Sequence, residues 1–131
     1  MSVFFEAIHA VLTEAGTKPI LVGGWAVNLL GYARNTIDFD LMILESDFKK
    51  LDPCLKKVGF KLLFCNPELF AKYKHPNDKI LELDILFTDR TTYAKLTSDS
   101  TEAKVGNIDC FVPSPMSLIA MKLHSIKNRL M

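Results

Sequence analysis

Residues Thr36–Leu44 alternate so regularly that they leave this chain few ways to fold. Successive residues of a β-strand point to opposite faces of the sheet. As a strand, this segment puts Ile37, Phe39, Leu41 and Ile43 on one face and Asp38, Asp40 and Met42 on the other. The apolar face must be covered by other elements. The opposite face brings two carboxylates together, roughly 6–7 Å apart along the strand. A sheet covered on one side and acidic on the other is therefore the frame into which the remaining segments must fit.

Those segments alternate in type. Val3, Phe4, Ala7, Ile8, Val11 and Leu12 recur at helical spacing, with Gly16 as the stop. Pro19-Ile20-Leu21-Val22 is a short apolar run of the buried-strand kind, ending at Gly23-Gly24, and Trp25–Leu30 suits a short helix stopped by Gly31. Ser46 is placed to cap a helix through Phe48, Leu51, Leu55 and Val58, with Pro53 in its middle and Gly59 at its end. Phe60–Cys65, Leu69–Lys74 and Ile80–Phe87 read as strands, separated by turn signals at Asn66-Pro67 and His75-Pro76-Asn77-Asp78. Thr88–Ala103 is polar and ambiguous. Val105–Val112 reads as a further strand, and Met116–Leu130, entered through Pro113-Ser114-Pro115, as an amphipathic helix. The order predicts an α/β (α+β) fold, a small mixed sheet flanked by helices, in a single domain spanning residues 1–131.

With 131 residues, 49% of them hydrophobic and 24% charged, the chain has the composition of one globular domain. Sixteen basic against fifteen acidic residues leave a formal charge of +1, which argues against bulk electrostatic binding of duplex nucleic acid or an anionic membrane. Cys54, Cys65 and Cys110 are odd in number and form no CxxC pair, so they build neither a zinc framework nor a disulfide scaffold. Glu6 and His9 interrupt the apolar N-terminus, no basic region precedes it, and no run reaches membrane-spanning length. A soluble, cytoplasmic protein is expected.

Three features carry chemistry. Asp38 and Asp40 repel each other unless solvent or a cation lies between them, and a hard divalent ion takes oxygen ligands of this type; a solvated strand face is the plain alternative. Asp84 stands among large apolar neighbours in Lys79–Phe87, where it either faces solvent, pairs with a lysine such as Lys61 or Lys72, or joins the first two aspartates. Three convergent carboxylates are the protein half of a two-metal phosphoryl-transfer site. Gly23-Gly24 joins a strand to a helix, as a tight turn or as a place where backbone N–H groups meet a phosphate.

Taken in order, Gly23-Gly24, Asp38-Phe39-Asp40 and Asp84 resemble the signature of the polymerase-beta superfamily of nucleotidyltransferases. Gly23-Gly24-Trp25-Ala26, Arg34-Asn35-Thr36-Ile37-Asp38-Phe39-Asp40 and the tail from Pro113-Ser114-Pro115 through Leu118–Leu123 to Arg129 are similar to the branch of AbiEii-type toxins and related small bacterial proteins. Two departures stand out. Gly24 replaces the serine often found at that position, and the further helical region usual in that branch does not follow Arg129 before the sequence stops at Met131, as in a domain truncated at its C-terminus or a minimal form.

The resemblance implies transfer of a nucleoside monophosphate from a nucleoside triphosphate such as ATP to an acceptor hydroxyl, with two Mg2+ ions, or Mn2+, as cofactors. Asp38, Asp40 and Asp84 would be the metal ligands and catalytic residues, with Asp84 as general base. Gly23 and Gly24 would hold the triphosphate through backbone N–H groups. Arg34 would pair a phosphate or brace one of the aspartates and Lys122 would reach the nucleotide phosphates, although each also suits an ordinary solvated surface. Trp25 is a stacking platform or, more simply, core packing. The acceptor would be a protein hydroxyl, a tRNA end or a small molecule, and the partner an antitoxin or a second copy of the chain. The competing expectations are a non-catalytic regulator or antitoxin-like binding partner with the same fold, and a metal-dependent phosphohydrolase.

Overall fold

The computed structural model describes residues 3–29 and 37–121, the side chains of 27–29 excepted. Helix α1 (Val3–Ala15) buries Phe4, Ile8, Val11 and Leu12 on one stripe and ends at Gly16, whose φ of +67° suits the left-handed stop. Strand β1 (Ile20–Val22) runs directly into α2 (Gly23–Leu29). Strand β2 (Asp38–Leu44) leads through a 3-10 turn (Glu45–Asp47) into α3 (Phe48–Lys57). Strands β3 (Lys61–Asn66), β4 (Phe70–Lys74) and β5 (Glu82–Thr88) follow, then α4 (Arg90–Ser98), β6 (Thr101–Val105), β7 (Ile108–Val112) and α5, described over 115–121.

The seven strands of the described residues form one sheet in the order β3-β4-β5-β2-β1-β7-β6; that it is mixed and flanked by helices is as the alternation of elements predicts, while its order and its seventh strand, β6, are not read from the sequence. β2 lies parallel to β5 and antiparallel to β1, while β1 lies parallel to β7. The two parallel pairs sit at the centre, and antiparallel hairpins close both flanks. One face carries Phe39, Leu41, Ile43, Ala71, Tyr73, Leu83 and Ile85, all at most 1% exposed, against α1, α2 and α3. Edge-to-face aromatic contacts of Phe4, Phe5 and Trp25 with Phe39, at centroid separations of 5.2–6.2 Å, close that core. On the other face Ile20, Val22 and Leu96 form a smaller cluster with Met42, Leu86, Tyr93, Phe111 and Met121.

Several local expectations change. Ile37 is not on the buried face: β2 begins at Asp38, the aromatic layer closes on Phe39, and Ile37 is 55% exposed beyond it. Ser46 is not a cap, because the 3-10 turn places Asp47 at the start of α3, with no side-chain cap bond. Pro53 sits inside α3 without ending it; the carbonyl it cannot bond belongs to exposed Lys49, where water can serve. Val105 closes β6 rather than opening β7, the turn between them falling at Gly106-Asn107. The ambiguous stretch after Thr88 contains α4, capped by Asp89, whose carboxylate accepts the Thr92 N–H at 2.7 Å. Those backbone bonds hold the Asp89 carboxyl below its ordinary range. Asp89→Ala should lower the melting temperature by a few degrees at pH 7 and by less below pH 4, where the acid loses its charge; equal losses at both would mean that the cap charge contributes nothing.

The three cysteines are free, with Cys110 buried and its thiol pushed up to about 11 by that burial. Among the described residues no helix is long and apolar enough to cross a membrane.

Candidate active site

The register of the central strands builds the site. Asp40 is the partner of Asp84 across the parallel β2–β5 pair, and Asp38 is the partner of Glu82. Because Phe39, Leu41, Leu83 and Ile85 all point into the core, these four carboxylates share the opposite face. The same row extends outward through Lys72, partner of Asp84 on β4, and Phe64, partner of Lys72 on β3. In the other direction it reaches Val22, partner of Asp40, one residue before the glycine pair. The sequence-predicted aspartates thus converge on one face beside Gly23.

Gly23 has a φ of +70°, and a Cβ built on it would overlap the Asp40 carboxylate. Its lack of a side chain makes room for the Asp40 carboxylate, a use for the glycine beside the tight turn and the phosphate contact that the sequence suggests. Asp40 is mostly buried. That burial first, then the neighbouring Asp84 and Asp38 charges, pushes its carboxyl up to about 7, with Lys72 pulling the other way. Its Oδ1 is buried with no hydrogen-bond partner among the described residues.

Lys72 is the residue the sequence reading undervalued. Its Nζ lies 3.0 Å from Asp84 Oδ1, 3.3 Å from Glu82 Oε1 and 3.4 Å from Asp38 Oδ1. The contact with Asp84 Oδ1 is an ion pair without hydrogen-bond geometry; the hydrogen bond is donated to Oδ2 at 3.4 Å. Partial burial works against its charge, but Asp84, Glu82 and Asp38 outweigh it and hold the ammonium above its ordinary range. The signal was present: Lys72 and Lys74 alternate with Ala71 and Tyr73, and a hairpin closed at His75–Asp78 sets them opposite Asp84 and Glu82.

Among the described residues no three or more His, Cys, Asp or Glu side chains are arranged, as they stand, to hold a metal ion. The donor set nevertheless fits one. Asp40 Oδ1 is a buried oxygen without a partner among the described residues, and beside it three more carboxylates, Asp38, Glu82 and Asp84, share a single ammonium, the chemistry a hard divalent cation satisfies. Trp25 belongs to the core, packed edge-on against Phe5 and Phe39, rather than to a stacking platform. Arg34 and Lys122 lie outside the described residues.

No protein-family model matches the sequence, and no curated protein matches it. The fold is that of solved nucleotidyltransferases. The lincomycin-bound crystal structure of the lincosamide antibiotic adenylyltransferase LnuA matches with a TM-score of 0.68 at 17% identity, over 90% of this chain and 82% of that one. The solution structure of the antibiotic-resistance factor ANT(2'')-Ia matches with a TM-score of 0.71 at 16% identity, over 96% and 72%. ANT(2'')-Ia in complex with adenylyl-2''-tobramycin gives 0.69 at 16% identity, over 95% and 75%.

Proposed function

We propose that this chain transfers a nucleoside monophosphate from a nucleoside triphosphate to an acceptor hydroxyl. The observation that carries the reading is the register of Asp40 and Asp84 on adjacent parallel strands, with Asp38 on the same face and Gly23 against Asp40. Asp38, Asp40 and Asp84 would hold two divalent ions, Mg2+ or Mn2+. When bound, such ions neutralise the phosphates and polarise the attacking and leaving oxygens. The protein's own part is to fix the three carboxylates by strand register. Asp84 would accept the acceptor's hydroxyl proton as its oxygen bonds to the α-phosphorus and the bond to the bridging oxygen breaks, releasing pyrophosphate. Gly23 and Gly24 N–H groups would meet the triphosphate, with Arg34 and Lys122 as further phosphate contacts.

The motifs through Arg34–Asp40 support placement in the AbiEii-type branch, with an antitoxin partner. The neighbours' ligands, lincomycin and a tobramycin adduct, favour a small-molecule acceptor over a protein hydroxyl or tRNA end. The competing reading, a regulator that keeps the fold without catalysis, is favoured by one feature: Lys72 already neutralises part of the cluster.

Binding decides between them. Carboxylates alone repel a triphosphate, so it should bind only with a bridging divalent ion. Triphosphate with Mg2+ is expected to raise the melting temperature by several degrees at about a hundred times its dissociation constant, and triphosphate with chelator far less. No Mg2+-dependent shift with any of the four common triphosphates at millimolar concentration would favour the regulator.

A further inference from the structure

We infer that Lys72 is a built-in occupant of the cation place, displaced when a divalent ion enters, so that it sets how tightly the carboxylate cluster takes metal. The inference rests on the metal-binding part of the proposed function. The ammonium bridges carboxylates of two strands, Asp38 on β2 with Glu82 and Asp84 on β5, from a stem anchored on a third, β4. It is only 27% exposed, so its ion pairs are less screened than surface pairs.

A cation binding Asp38 and Asp84 needs the same oxygens that Lys72 holds. Two cations cannot both neutralise those oxygens at close range, because their like charges repel more strongly where water is partly excluded. Metal entry therefore costs the lysine its pairs with Asp38 and Asp84, leaving only Glu82 to hold it. The competition also has a use: four crowded carboxylates without a counter-charge would push β2 and β5 apart, and the lysine keeps them together until metal arrives. A lysine that only fastened β4 to β5 would affect stability but leave metal affinity alone, since its pairs would survive loading.

Mn2+ titration of the full chain at pH 8, followed by calorimetry and by loss of the free-ion electron paramagnetic resonance signal, separates the two. Lys72→Met removes the charge and keeps most of the stem; it is expected to bind Mn2+ about tenfold tighter or more. Lys72→Arg keeps the charge and should stay within about threefold of the wild type. The metal-free Met variant should melt lower than the wild type and recover more on adding Mn2+. If the wild type binds and Lys72→Met binds no tighter, the inference fails while the metal site stands. If neither binds at millimolar Mn2+, both fail. Should Lys72→Met not fold, the wild type alone suffices: in a Mg2+ titration the Lys72 side-chain ammonium resonance must shift along the binding curve. Saturation with that resonance unmoved overturns the inference.

Discussion

Asp40→Asn is expected to melt at a higher temperature than the wild type in chelator at pH 8 while losing transfer activity on the order of 10³-fold or more. The sign follows from the raised carboxyl of Asp40, about 7 in the folded chain against an ordinary value of 3.8. Below pH 4 the acid is protonated folded and unfolded, and it costs nothing. As the pH rises from about 4 to about 7, the unfolded chain ionises while the folded chain keeps its proton, so this group's contribution to stability falls. Above 7 the folded carboxyl ionises too, and the full penalty remains. Asparagine never carries the charge. The gap between variant and wild type should therefore open between pH 4 and 7 and stay constant above it. Asp38→Asn makes the contrast, since that carboxylate pairs with Lys72 and its loss offers no such gain. Differential scanning calorimetry across pH, beside a transfer assay, checks both halves. An Asp40→Asn protein that melts lower at every pH would make the carboxylate a structural element rather than a repelled ligand.

That contrast between Asp38 and Asp40 was not legible in the sequence, although their shared face was. Alternation in Asp38–Leu44 specifies which side chains point together, because a strand has a period of two and a slip would bury both aspartates. The joining of Asp84 to them depends on β5 lying beside β2, a long-range parallel pairing that no local pattern encodes. From the residues alone it is one of three alternatives for Asp84, and only the resemblance carried by the motif order favours it. The hairpin of β4 and β5 is readable as two strands and a turn, but the sequence leaves Lys61 and Lys72 both open as partners of Asp84, and the register of the pair selects Lys72. What the sequence could not show was that Lys72 reaches Asp38 as well, since that contact spans three strands. Helix α4 was missed for a local reason. Arg90–Ser98 buries only Leu96 along its length, so its apolar periodicity is too faint to read, and the Asp89 cap was the better clue. Ile37 failed in the opposite direction: the alternation runs one residue past the point where the covering layer ends.

Gly23→Ala is the second large effect, expected to destabilise the fold by about 2–4 kcal/mol, the sum of a left-handed backbone and an overpacked contact. Gly16 supplies the control for the first part. It has a φ of +67°, nearly that of Gly23, but a Cβ there would meet nothing within 4 Å. Gly16→Ala should therefore show the backbone cost alone, about 1–2 kcal/mol. The excess at Gly23 belongs to the Asp40 carboxylate, which a new Cβ would overlap and which has little freedom to retreat, held in register beside Asp84. The double variant Gly23→Ala with Asp40→Ala isolates that excess. Removing the carboxylate frees the space, so the second substitution should cost far less in the Asp40→Ala background than in the wild type, while Gly16→Ala should cost the same in both. Urea unfolding of the single and double variants measures all the terms. Equal losses for Gly16→Ala and Gly23→Ala in the wild-type background would mean that Asp40 is not pinned against the glycine turn. The carboxylate would then lie elsewhere on its face, and the convergence of the glycine pair with the aspartates would lose its structural basis.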